Sequence, residues 1–277
     1  MQAVFHERAV RVEEAEIRAV ASRLTAIGEQ EGNPHGVQVR RFGRVHAFLV
    51  KGIPDLYFNS VRGLGLEEGS EERIDEILDF YAEHGASCRF DIVPFGAQPE
   101  LLRKLAERGY GQYGFHTALY GVVPELGLPT DPRDGQVIVR PLREDEFDLY
   151  AEIYSASFGM PAFLQPAVAA NNRVLHGRAG WRFYLALYGD EPAAIGALRM
   201  EDGIGSLAAA ATLPAFRRLR CQSALLLERL EEAARSACGL LVGQAAFGSA
   251  SQANMERIGM KVAYTKSLWR KIDTGRG

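Results

Sequence analysis

From Val137 onward, apolar and polar positions repeat with a period that switches between two and about 3.6 residues, the marks of strand and helix. VIVRPL (Val137–Leu142) alternates as a strand, and Glu144–Phe158 has helical spacing. Pro166–Leu175 predicts a shorter helix. Trp181–Tyr188 is rich in β-forming residues and stops at Gly-Asp-Glu-Pro; Ala193–Met200 returns and stops at Glu-Asp-Gly. Both stops are hairpin signals. Ile204–Leu213 is a third strand, built of small residues. Ser223–Ala237 predicts an amphipathic helix with Leu227, Leu230, Ala234 and Ala237 inside. Glu228, Glu231, Glu232 and Arg235 form its wet face, with Glu231 and Arg235 at a supportive spacing. Leu240–Phe247 reads as a buried strand, Ser249–Gly259 as a short helix ended by glycine, and Lys261–Lys271 as a last strand.

The first half repeats the end of this order. Asp55–Val61 reads as a strand, and Ser70–Gly85 as a helix with Ile74, Ile77, Leu78 and Tyr81 inside. Cys88–Pro94 is a strand, Gln98–Gly109 a helix and Tyr110–Val123 a strand. Gly109 and Gly259 each follow a charged helix end and precede a long strand. A repeated β-α-β-α-β unit of this length implies duplicated domains rather than a solenoid. Between the copies, Val122–Gln136 is rich in proline, glycine and aspartate, which break helices and strands. The expected division is a domain over 1–125, a linker over 126–136 and a second domain over 137–277.

Composition narrows the class. The chain has 277 residues, 47% hydrophobic and 24% charged, as globular proteins do. Its formal net charge of -3 gives no general attraction to nucleic acid or to an anionic membrane. Cys88, Cys221 and Cys238 are odd in number and unpaired in spacing, which argues against disulfides and for a reducing cytoplasm. The charged first residues contain no secretory apolar core, and no apolar run approaches the roughly 18 residues of a membrane span. The histidines are scattered; His84 and Cys88 can share a helix face, but two ligands do not close a metal site. A cytoplasmic two-domain protein without a metal is expected.

The chemistry concentrates at Thr212–Ser223. A strand of small residues runs through Pro214 into a basic turn that opens a helix. The first N–H groups of a helix lack internal partners and carry partial positive charge, so they receive phosphate. Arg217, Arg218 and Arg220 add charge that arginine never loses at physiological pH. Proline lets the strand end splay from its neighbour. The alternatives are a solvated helix start without a ligand and, less favoured, a nucleic-acid contact that lacks interleaved aromatics.

This stretch resembles the signature of the GNAT superfamily, the acyl-CoA-dependent N-acetyltransferases: Arg or Gln, two residues, Gly, one residue, then Gly or Ala. Here it reads Arg217, Arg218-Leu219, Arg220, Cys221, Gln222. Ser251, Asn254, Arg257 and the Gly259-Met260 pair resemble the family's second half. The resemblance implies an α+β fold of tandem GNAT-like domains, each a mixed, mostly antiparallel central sheet flanked by helices, with a degenerate N-terminal copy. It implies acetyl-CoA as cofactor, held by Thr212, Leu213, Arg217, Arg218, Leu219, Arg220, Cys221, Gln222, Ser223 and Asn254. It also implies a backbone amide at Leu213 that polarises the thioester carbonyl. Arg220 and Gln222 stand in the glycine places. A left-handed backbone at Arg220 would cost about 1–2 kcal/mol. Cys221 at a helix start has no histidine partner and is expected to pack.

In the first half, Arg62, Gly63 and Gly65 occupy the corresponding turn, but Glu67, Glu68, Glu71 and Glu72 would repel pyrophosphate. That copy is expected to be structural, or a wall of the acceptor site. The tyrosine acid usual in the family is replaced by Met255; Tyr264 is the substitute candidate. Glu152 and Glu201 are candidate bases, each more simply a surface charge. Tyr154, Phe158, Met160 and Phe163 either line an acceptor pocket or belong to the core. The resulting expectation is N-acetyl transfer to a small-molecule or peptide amine by a monomer or homodimer. The alternatives are a catalytically silent GNAT-like ligand-binding protein and an interaction module without a cofactor.

Overall fold

The computed structural model describes residues 2–53, 55–128, 130–133 and 135–272. Positions 129 and 134 of the expected linker, and 273–277 of the expected second domain, lie outside the described residues. The chain divides into two compact units: residues up to Ala118 together with those from Val262, and Leu119–Lys261.

The first unit opens with a long helix, α1 (Gln2–Gly28), followed by a hairpin of β1 (Val37–Phe42) and β2 (Val45–Val50). None of these was legible in the sequence pattern. β3 (Ser60–Arg62), α2 (Ile74–Glu83), β4 (Arg89–Ile92) and α3 (Pro99–Glu107) follow, then β5 (Tyr110–Val122), which belongs to the first unit as far as Ala118 and to the second from Leu119. The expected strand over Asp55–Val61 shrinks to β3. The Asn59 side chain explains this, because it bonds Val50 N and the carbonyls of Ile53 and Asp55, holding 55–59 as a loop. β3 and β4 are parallel; β1–β2 and β2–β3 are antiparallel. α2 buries Ile74, Ile77 and Tyr81 as expected, together with Phe80.

The second unit contains β6 (Val137–Pro141), α4 (Phe147–Phe158), α5 (Gln165–Arg173), β7 (Trp181–Tyr188), β8 (Glu191–Glu201), β9 (Ile204–Thr212), α6 (Cys221–Arg235), β10 (Leu240–Ala246) and α7 (Ala250–Arg257). Its strands lie in the order β10-β9-β8-β7-β6, antiparallel except for the β9–β10 pair. The hairpin stops are left-handed turns at Gly189 (φ 59°) and at Asp202-Gly203 (φ 50° and 71°). α6 packs Leu225, Leu226, Leu230 and Ala233 against Leu198, Leu241 and Met255. Its inner face differs from the expected one: Ala234 and Ala237 are exposed, and Arg229 is buried. A buried arginine on the inner face is not visible in an apolar-polar pattern, and the stripe is displaced accordingly.

The last strand, β11 (Lys261–Lys271), departs from the expected domain division. From Val262 it belongs to the first unit, pairing antiparallel with β4 from Ser267↔Ile92 to Arg270↔Arg89. Buried charge holds it there: Lys266 meets Glu13 and Glu16 of α1. Among the described residues, no helix is long and apolar enough to cross a membrane, and no group of three His, Cys, Asp or Glu is placed to hold a metal.

Candidate functional site

β9 and β10 stay in parallel register only from Ile204↔Leu240 to Leu207↔Gly243. β9 then runs on to Thr212 and β10 to Ala246. On its other side β9 pairs with β8 as far as Ala194↔Thr212, with one extra residue, Ala208, between Leu207 and Ala209. The Leu213 N–H donates to the Ala193 carbonyl at 2.9 Å. Bonded and non-bonded pairs alternate along an antiparallel ladder. Ala211 and Ala209 therefore also address β8, while the N–H groups of Thr212 and Ala210 face the open side. The amide expected to polarise a carbonyl, Leu213, is already used. The N–H groups of Ala210 and Thr212 are the ones that face away from β8.

The turn follows at once. Pro214–Phe216 form a single 3₁₀ turn, Arg217 is extended, and Arg218 and Arg220 are left-handed at φ 68° and 66°. The strain anticipated for Arg220 is present, and Arg218 doubles it. Such backbone gathers successive N–H groups into an anion-binding hollow. The first intrahelical bond of α6 at this end runs from Ala224 N–H to Arg220 O at 3.0 Å. The N–H groups of Cys221, Gln222 and Ser223 are the helix-start donors that precede it.

The side chains are less free than the sequence implied. Arg217 Nη2 donates to Ser157 O at 3.2 Å, at the end of α4. Arg220 helps to hold the Asp131 carboxyl below its usual range, after the larger effect of Arg133. Leu219 packs on the core. Cys221 is buried with its Sγ 3.7 Å from Leu219 O, and burial raises the thiol pKa, so it packs rather than reacts. Thr212, Gln222, Ser223 and Asn254 are half-buried. Asn254 Oδ1 accepts a bond from Arg257. Sequence reasoning missed Gln244. It lies one residue past the last β9–β10 pair, and both polar atoms of its side chain are buried without a partner.

No protein-family model and no curated protein matches the chain. Solved structures do. A GCN5-related N-acetyltransferase from Kribbella flavida matches with a TM-score of 0.69, covering 95% of each chain at 14% identity. One from Sphaerobacter thermophilus matches with a TM-score of 0.56 over 91% of each chain at 17% identity. A tandem GNAT protein from the clavulanic acid biosynthesis pathway matches with a TM-score of 0.61, over 89% of this chain and 86% of its own, at 14% identity. The chain has the GNAT fold. A fold hosts many chemistries, so function is argued from the site.

Within the GNAT fold the candidate acids and bases separate. Met255 is buried, with its sulfur where a Cβ on Gly243 would come within 2.5 Å. It fills space and offers no proton. Tyr264 belongs to the first unit, and its hydroxyl donates to Glu13 Oε2 at 2.6 Å. Burial and the Glu13 charge raise its pKa well above the usual phenol value. It is committed to a buried carboxylate, which removes it as a free acid. Glu152 is exposed on α4, and Glu201 pairs with Arg199 at 2.9 Å. On α4 and beyond, Tyr154 stacks on Tyr150 and meets Phe158 at 4.8 Å between centroids, Met160 is half-buried, and Phe158 and Phe163 are exposed.

The corresponding turn of the first unit closes on itself. Gly63 and Gly65 are left-handed, and a Cβ on Gly65 would lie 2.4 Å from Gly96 Cα. The Gly65 N–H is spent on Ser70 Oγ at 2.8 Å. Arg62 is fully buried, with Nη1 2.5 Å from Glu16 and Nε 3.6 Å from Asp91. The glycines serve backbone contact, and the arginine serves internal ion pairs.

Proposed function

We propose that the second unit binds acetyl-CoA and transfers its acetyl group to the amine of a small molecule or peptide. One observation carries this reading. β9 leaves its parallel partner after Leu207 and runs, amides open, into a left-handed basic turn at the start of α6. Pyrophosphate suits that turn: the amides of Cys221, Gln222 and Ser223 with Arg218 and Arg220 beside them. Asn254 is the candidate contact for the pantetheine arm. Ala210 and Thr212 offer N–H groups to the thioester carbonyl. Acetyl-CoA supplies an activated acetyl group, and acyl transfer needs its carbonyl oxygen stabilised as charge develops. The three cysteines are free and buried, which fits a reducing compartment, and we place the activity in the cytoplasm.

A ligand that binds only the native state raises the melting temperature by mass action. Thermal shift and calorimetry with CoA and acetyl-CoA test the reading. We expect stabilisation by both and release of free thiol with an amine from a broad panel. No stabilisation by either at millimolar concentration defeats it. Met255 in the acid position favours a second reading, a CoA-binding protein without transferase activity, for which stabilisation without turnover is the signature.

A further inference from the structure

Arg229 lies two turns into α6 and is 1% exposed. Among the described residues no carboxylate pairs with it; the titratable groups that act on it are Tyr184 and Tyr150. Burial lowers its pKa to about 10, so it remains a cation at neutral pH. A buried cation without a counter-ion is expensive, and such groups often serve a site. Nε donates to Leu225 O at 2.9 Å and Nη1 to Ala209 O at 3.2 Å and Ala197 O at 3.4 Å, while Nη2 is buried without a hydrogen-bond partner among the described residues. Ala197 and Ala209 are the facing pair beside the Ala208 bulge. A bulge disrupts the ladder locally, and a donor from beneath the sheet ties both carbonyls there. The strands make room for it. A Cβ on Gly196 would come within 3.2 Å of Arg229 Nε, and the residue opposite Gly196 is the small Ala210.

We propose that Arg229 is a positioning residue: its grip on the Ala197 and Ala209 carbonyls fixes the bulge and holds the Ala210 N–H toward the open side of β9, where a thioester oxygen would meet it. The inference rests on the acetyl-CoA reading above. It makes α6 the link between the two parts of the site. The first turn of the helix offers amides to phosphate, and its third turn sets the strand that addresses the acetyl group. The guanidinium holds Leu225 O through Nε while Nη1 reaches both strand carbonyls, a two-nitrogen anchorage that the single nitrogen of an ammonium does not reproduce.

Two measurements on the full chain test this. Amide hydrogen exchange without ligand should be faster in Arg229→Met at Ala209 and Ala211 and unchanged at Ile204–Ser206. Calorimetry should show CoA affinity within about twofold of wild type, and a loss of about tenfold or more in the preference for acetyl-CoA over CoA, a fraction of what one oxyanion donor contributes to rate. Gly196→Ala displaces the guanidinium without removing its charge and should act in the same direction; it carries the test if Arg229→Met does not fold. Arg229→Lys should not restore the preference. Exchange that quickens throughout the unit, equal losses for both ligands, unchanged exchange at Ala209 and Ala211, or a wild type with no preference would each overturn the proposal. A wild type that binds neither compound defeats the acetyl-CoA reading itself, and the exchange data then decide the grip of Arg229 alone.

Discussion

Tyr264 in the last strand donates a 2.6 Å hydrogen bond to Glu13 in the first helix. Lys266, also in that strand, meets Glu13 at 3.1 Å and also Glu16, and Arg62 meets Glu16 at 2.5 Å. The two ends of the chain thus close the first unit through buried charge. Tyr264→Phe should lower stability by about 1.5–3 kcal/mol, the value of a hydrogen bond to a charged group. Lys266→Met should cost more, about 3–5 kcal/mol, because it strands buried carboxylates. Urea denaturation measures both, and CoA titration of Tyr264→Phe should match wild type. Normal stability with lost acetyl transfer in Tyr264→Phe would restore it as the catalytic acid.

His116 adds a pH dependence to the same unit. Burial lowers its pKa to about 4, with the Glu16 charge opposing and Lys266 reinforcing the shift, and Asp91 and Arg89 acting more weakly. Its Nδ1 is buried without a partner. The unfolded imidazole takes its proton near its ordinary value of 6.5, before the folded one does. Stability contributed by the neutral ring is therefore full above about 6.5 and declines as pH falls toward about 4. Glu13 works in the opposite sense, because burial raises its pKa, whereas Glu146, at about 2 beside Arg140, loses its contribution only below the ordinary carboxyl range. Urea midpoints between pH 7 and 4.5 should fall less steeply in His116→Gln than in wild type. Parallel curves would show that the ring titrates normally.

Gly65 shows how the first turn was put to another use. With φ at 82° and the Gly96 backbone where its Cβ would be, Gly65→Ala forces both a strained turn and a clash. We expect a loss of more than about 1–2 kcal/mol, the left-handed penalty alone, with CoA affinity at the second turn unchanged. Weakened CoA binding at full stability would place the ligand on the first unit instead.

The elements that the sequence disclosed share strong local signals. Hairpins β7–β8 and β8–β9 alternate and end at Gly189 and Gly203, and α2 shows an apolar line above acidic residues. The elements it hid carry charge inside. Glu13 and Glu16 interrupt the buried line of α1, and Arg229 interrupts that of α6. Composition could not reveal that these charges have internal partners. The basic turn at the start of α6 was legible as a place. Which amide of β9 faces outward depends on pairing parity with β8, set by the Leu213–Ala193 bond, and no local pattern encodes it. The departure of β11 from its own copy was hidden for the same reason: Lys266 and Glu13 meet only in the folded chain.

Arg218 and Arg220 hold left-handed backbone that glycine adopts freely, at φ 68° and 66°. Each should cost about 1–2 kcal/mol of strain. Glycine regains this but loses about 0.4–1 kcal/mol through a freer unfolded chain. Arg220→Gly should therefore be neutral to modestly stabilising, and Arg218→Gly likewise. Their effects on the ligand differ from their effects on stability. Removing a guanidinium weakens attraction to pyrophosphate, but it also removes bulk where backbone must approach closely. Arg220 also spends part of its field on Asp131. We therefore expect Arg220→Gly to bind CoA as well as wild type or better. Arg217→Ala should instead weaken binding, because its anchor on Ser157 O holds the turn against α4. Titrations at low and high salt separate the causes, since exposed charge contacts are screened and backbone contacts much less so. Weaker binding by Arg220→Gly with a shallower salt dependence would show that the side chain itself grips phosphate, and that this turn replaced glycine's open backbone with direct charge.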